Sequence, residues 1–238
     1  MLPNDLDNPN KSTIDRSIIR PFLFTARLSM FSAKVEIALH EKAIRYDREF
    51  VPFELGTGYH PKHPDVVAAN PKAQVPVLID GPLTIYDSTQ IFEYLEDAYP
   101  AAPLWPQSVP VRAAARQWEH WSDEILFPPA LALIDRSLGQ GDRRAAAKRV
   151  NRHLDRLNSH LGDTRFVAGD FSYADVALFM AEFFIVLFGL ARQPRPGILT
   201  WRRRLLGRSS FRSVIEPMAA YAEELGIAPA ARLIGERE

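Results

Sequence analysis

The sequence predicts an α/β domain followed by an all-α domain, and three observations carry that expectation. Strand-type and helix-type apolar patterns alternate over the first hundred residues. Four prolines then fall within the twelve residues 99–110. Beyond them only helical periodicity continues. The expected organisation is a mobile arm over residues 1–19, a first domain over 20–103 and a helical domain over 104–238, with the linker at about 99–110.

The elements of the first domain follow in order. Residues 22–25 (FLFT) are a short β-type run. Residues 29–42 read as a helix with Val35, Ala38 and Leu39 on one face. A second strand is expected over 45–51. Residues 56–69, rich in Gly, Pro and His, read as a loop with one helical turn. Strands at 75–79 and 83–86 flank Asp80-Gly81-Pro82, a hairpin signal. Asp87-Ser88 opens a helix whose apolar face is Ile91, Phe92, Tyr94, Leu95 and Ala98. In the second domain, helices are expected over 111–126, 129–138, 143–161, 173–190, 198–206 and 214–224.

Composition narrows the function classes. Lys+Arg and Asp+Glu balance at 29 each, so no global field favours nucleic acid or a basic partner. There is no cysteine. A disulfide framework, a thiolate metal site and a cysteine nucleophile are therefore excluded, and a reducing, cytoplasmic setting fits. Residues 1–19 are polar and lack the apolar core of a secretory leader. The most apolar run, 176–190, contains Glu182 and is shorter than the ~20 residues of a membrane span, so a buried helix is expected.

Four local signals bear on chemistry. Pro76 interrupts the apolar run of NPKAQVPVLI (70–79) and removes a ladder donor. It is either an ordinary trans proline at a strand start, or a cis proline that turns the Val75 backbone outward to pair with an extended peptide. Asp87-Ser88 is a helix cap, or a site where helix N–H groups meet a carboxylate while Asp87 meets an ammonium. Ser29, with Ser32 nearby, is likewise a cap or a hydroxyl aimed at a thiolate. Ser172 and Asp175 form a capping box, S-x-x-D, whose role reads as structural.

Together these signals resemble the glutathione transferase superfamily, from about residue 20 to 225. The resemblance lies in N-P-x-x-x-V-P at Asn70–Pro76, the acidic-Ser pair Asp87-Ser88, the S-x-x-D box at Ser172–Asp175 and the late segment Trp201-Arg202-Arg203-Arg204-Leu205. It implies a thioredoxin-like domain followed by a helical domain, with a cis bond at Val75-Pro76. It further implies glutathione as co-substrate, with Val75, Pro76, Asp87, Ser88, Gln74 and Lys62 (or His60) at its binding site. Alignment on serine-type, theta-like members places Ser29 on the catalytic serine. Ala26 and Arg27 stand where many bacterial relatives carry Ser-Pro. Met30, Phe31, Trp118 and Trp121 are candidate walls for an apolar electrophile. No metal is implied, and the expected partner is a second copy of the chain in a homodimer. A binding-only member of the fold and a specialised dehalogenase or ether-cleaving enzyme are the alternatives.

Overall fold

The computed structural model describes residues 20–54, 58–135, 137–191 and 193–234. The arm expected over 1–19 lies outside the described residues. Strands β1 (Phe22–Thr25), β2 (Asp47–Phe50), β3 (Val77–Asp80) and β4 (Leu83–Tyr86) form one sheet in the order β2-β1-β3-β4. β1 pairs parallel with β2, and antiparallel with β3 in the register Phe24↔Val77. Helices α1 (Met30–Glu41), α2 (Pro64–Ala69) and α3 (Ser88–Ala98) complete the first domain. Gly81, at φ 55°, supplies the positive φ that the two-residue β3–β4 loop requires.

The strand expected over 75–79 starts at Val77 instead. Pro76 has no N–H for the ladder, so regular pairing begins after it. Residues 64–69 form a full short helix, capped by the His63 side chain, with Pro64 at its first position.

The second domain holds α4 (Val109–His120), a π-helical segment (Trp121–Leu126), α5 (Phe127–Ile134), α6 (Gln140–Asp163), α7 (Tyr173–Leu187), α8 (Pro196–Leu206), α9 (Ser209–Glu224) and α10 (Ala230–Ile234). The helix expected over 111–126 thus changes pitch at Trp121. Pro128 and Pro129 lack the amides that would return to residues 124 and 125, and the Phe127 amide reaches back five residues to the Ser122 carbonyl. The run from 176 stops short of 190. Gly189, at φ 68°, ends α7 there. Glu182 lies within α7 and forms a buried ion pair with Arg202. No helix among the described residues is long and apolar enough to cross a membrane.

The core does not divide at the linker. Leu28, Met30, Ile37 and Phe92 from the first domain join one buried cluster with Trp121, Tyr173, Phe179 and Trp201 from the second. Phe92 stacks on Tyr173 with ring centroids 3.5 Å apart. The proline-rich linker is itself held: the Glu96 carboxylate accepts from the Leu104 and Trp105 amides, each at 3.0 Å, and pairs with Lys42 at 2.7 Å.

Candidate functional site in the interdomain cleft

The site begins at the start of α3. Asp87 is its N-cap and holds φ 74°, a region that L residues rarely adopt. In that conformation one carboxylate oxygen accepts from the amides of Thr89 (3.1 Å) and Gln90 (3.4 Å). The cap and ligand readings of this pair are therefore compatible: one oxygen caps, and the rest of an exposed carboxylate stays open. Ser88 is buried against the cleft, and its hydroxyl makes no hydrogen bond among the described residues.

The segment facing α3 is the loop 70–76. The Asn70 side chain ties it together, donating to the Gln74 carbonyl (2.7 Å) and accepting from the Lys72 amide (2.9 Å). The Val75–Pro76 peptide is cis. Neither the amide nor the carbonyl of Val75 is engaged among the described residues. The result is a short backbone edge whose polar groups are unpaired among the described residues.

Loop and helix start bound a cleft of about 360 Å³. Gln74, Val75, Pro76, Asp87 and Ser88 all line it, and so does Phe31. The opposite wall comes from the second domain: Glu119, His120, Asp123 and Glu124. Lys62 does not reach the cleft; it lines a small adjoining hollow that shares Val75. Lys72 is the lysine that lines the cleft itself.

Ser29 caps α1, accepting from the Ser32 amide at 3.2 Å, and is only 6% exposed. Beside it the Tyr59 hydroxyl donates to the Leu28 carbonyl at 2.7 Å and pins the loop. Burial pushes the Tyr59 hydroxyl pKa well above its ordinary value. Three of the four expected electrophile walls are elsewhere. Met30 is buried in the core. Trp118 and Trp121 share a face, as their spacing predicts, but that face meets α6: Trp118 packs on His160 at 4.6 Å and Trp121 on His153 at 5.3 Å between centroids. Their apolar surface is used in helix packing, which leaves polar residues of the same helical stretch to face the cleft.

Behind that wall lies a group of charges. Lys34 of α1 is fully buried and reaches across the domain seam to Glu119 (3.1 Å) and Asp123 (2.5 Å). Burial opposes its charge, but Asp123 and Glu119 are among the groups that outweigh this and hold the ammonium pKa far above the ordinary lysine value. For Asp123 burial wins: it raises the carboxyl pKa, with Lys34 pulling against it. Thr89 donates to Glu119 at 2.6 Å, joining the group to the first turn of α3. The sequence carried one signal of this, carboxylates at i and i+4 (Glu119, Asp123) beside a lone lysine in the apolar run of α1.

The capping-box residues Ser172 and Asp175 do not line the cleft. Asp175 is fully buried and accepts from the Ser172 amide (3.0 Å), the Val167 amide (3.1 Å) and Trp201 Nε1 (2.8 Å).

A sheet of this order with a cis-proline edge, seated on a helical domain, defines a thioredoxin-like glutathione-transferase architecture. The family model for the glutathione S-transferase N-terminal domain matches residues 23–103, and that for the C-terminal domain matches 113–204. Glutathione S-transferase 3 of Zea mays is 31% identical over 215 residues, covering 81% of this chain and 92% of the maize protein. Glutathione S-transferase GstB of Escherichia coli K12 is 28% identical over 194 residues, covering 76% and 91%. The glutathione S-transferase of Methylobacillus flagellatus, solved with glutathione bound, superposes with TM-score 0.70 at 26% identity, covering 82% of this chain and 98% of that one. The chain belongs to the glutathione S-transferase family.

Proposed function

We propose that the chain binds glutathione in the interdomain cleft, stabilises its thiolate and transfers it to a small apolar electrophile. The observation that carries this is the meeting of the free Val75 backbone edge and the Asp87-Ser88 helix start across one cleft. Val75 pairs with the cysteinyl backbone and Pro76 supports that edge. Ser88 and the α3 N-terminus take the γ-glutamyl carboxylate, and Asp87 takes the ammonium. Gln74 holds the glycyl end, with Lys62 or the nearer Lys72 supplying positive charge. The electrophile docks against Phe31. The protein acts as a cytoplasmic homodimer, a reading supported by its family and its lack of cysteine.

Ser29 donates to the sulfur. A thiol pKa of about 8.5 leaves only a few per cent thiolate at neutral pH, and lowering it by ~2 units takes about 2.7 kcal/mol. A charge-assisted hydroxyl bond gives roughly 1.5–3 kcal/mol, and the α1 N-terminus adds about 0.3–1 kcal/mol. The two together suffice without a metal. Ser29→Ala therefore raises the pKa of bound glutathione by about 1–2 units and lowers kcat/KM by about 10- to 100-fold. Thiolate absorbance and an aryl-halide conjugation assay measure both; unchanged values would remove Ser29 from the mechanism.

A binding-only role is the second reading, favoured by the burial of Ser29 and its use as a cap. Glutathione binding without turnover on a broad electrophile panel would establish it.

A further inference from the structure

We propose that Arg27 is a specificity-determining residue, whose guanidinium takes a carboxylate carried by the electrophile. The favoured second substrates are then apolar electrophiles that bear an acid group. This rests on the glutathione reading above and names the class of molecule that the bound thiolate meets.

The turn before α1 fixes where Arg27 stands. The Ser29 amide donates to the Ala26 carbonyl at 3.2 Å, and the Tyr59 hydroxyl holds the Leu28 carbonyl at 2.7 Å. Ala26, Leu28 and Ser29 are buried, and Arg27 is the exposed residue of that turn. Its guanidinium carbon lies 5.1 Å from the centroid of the Phe50 ring, at the end of β2, and 5.2 Å from that of Tyr221 in α9. One ring belongs to each domain, so the cation sits over the seam. Two residues of chain separate Arg27 from Ser29, at most about 7 Å between Cα atoms. Phe31 follows Ser29 by the same interval. The proposed thiolate donor is therefore flanked by a cation on one side and an aromatic wall on the other.

Charge is the second observation. Arg48 shares the Phe50 ring, at 4.7 Å, but the Glu36 carboxylate neutralises it. Arg27 has no such counter-ion, and its guanidinium makes no hydrogen bond among the described residues. Contact with a ring consumes none of a guanidinium's N–H donors. The two rings thus hold the group in place and leave its fork open, and a carboxylate is the partner that a planar fork matches with two parallel bonds. Holding the cation beforehand lowers the ordering cost that a free arginine would carry on binding. Water tempers the attraction at an exposed site, which sets the expected preference at about tenfold.

The test titrates three ligands calorimetrically into the full chain. They are glutathione, its S-aryl conjugate with para-chloro-meta-nitrobenzoate, and the matching conjugate with the uncharged benzamide. Wild type binds the carboxylate conjugate about tenfold more tightly than the carboxamide. Arg27→Met keeps an apolar stem between the rings without the fork, and the two conjugates then bind within about twofold of each other. Arg27→Lys keeps the charge alone and retains part of the preference. Turnover of the two aryl chlorides, each taken relative to its uncatalysed rate, reads the same ratio in kcat/KM. In that step the thiolate forms the C–S bond, the C–Cl bond breaks and chloride leaves with the electron pair. A wild type without preference overturns the proposal. So does an equal loss for both conjugates in Arg27→Met, which would make Arg27 a support for the turn or for the thiolate. A wild type that binds no glutathione removes the glutathione reading itself, an outcome distinct from the other two.

Discussion

Asp87 holds two demands at one position. Its positive φ costs roughly 1–3 kcal/mol for a non-glycine residue, yet that conformation lets its carboxylate cap α3. Asparagine tolerates positive φ and caps equally well. Asp87→Asn is therefore expected to hold stability within about 0.5 kcal/mol in urea unfolding, while glutathione affinity falls about tenfold. Asp175 is the opposite case, with no ligand role and a large structural one. Asp175→Ala leaves three buried N–H donors unpaired and should cost about 3 kcal/mol or more, read from the urea midpoint at constant slope. The Ser172–Asp175 box was legible because its members lie within four residues. The Trp201 and Val167 donors were not, since only tertiary packing brings them to Asp175. Lys34 escaped detection for the same reason: its partners are 85 and 89 residues away.

At the scale of elements, spacing gave the faces of helices and packing gave their directions. The i, i+3 tryptophans share a face as expected, but nothing local to them says that α6 claims it. α6 answers with an apolar inner stripe (Ala146, Val150, Leu154, Leu157, Leu161) and an outer row of exposed cations, Arg144, Lys148, Arg152 and Arg156. Two of that row act on His153. Burial lowers its pKa below 6.5, and Arg152, Arg156 and Arg149 lower it further. A base with a depressed folded pKa binds fewer protons folded than unfolded, so its stability contribution is intact above 6.5 and is lost as pH falls through the folded pKa. NMR titration should show His153 titrating below 6.5, and Arg152→Ala should move it upward. A titration unmoved by that change would remove Arg152 from the causes of the shift.

At the scale of the molecule, the mixed-then-helical organisation was visible in periodicity, whereas the seam between the halves was not. Lys34 shows what the seam contains. Its raised pKa means that its contribution is complete below 10.5 and lost only at more alkaline pH. Lys34→Met leaves two carboxylates buried without their cation and should cost about 3–5 kcal/mol at neutral pH. That deficit shrinks on acidification, as the carboxylates take up protons. Homodimerisation is tested by mass: sedimentation should give twice the chain mass of 26.9 kDa, and a monomer would contradict it.

The shared core has a consequence for recombination. Because Leu28, Met30, Ile37 and Phe92 pack into the same cluster as Tyr173 and Phe179, neither half is a transplantable module. A chimera joining residues 20–103 to a relative's helical half would inherit one side of the seam from each parent. Shape mismatch there would leave voids under the cleft. Productive exchanges are therefore those that keep residues 28–37, Phe92 and residues 121–201 from a single parent.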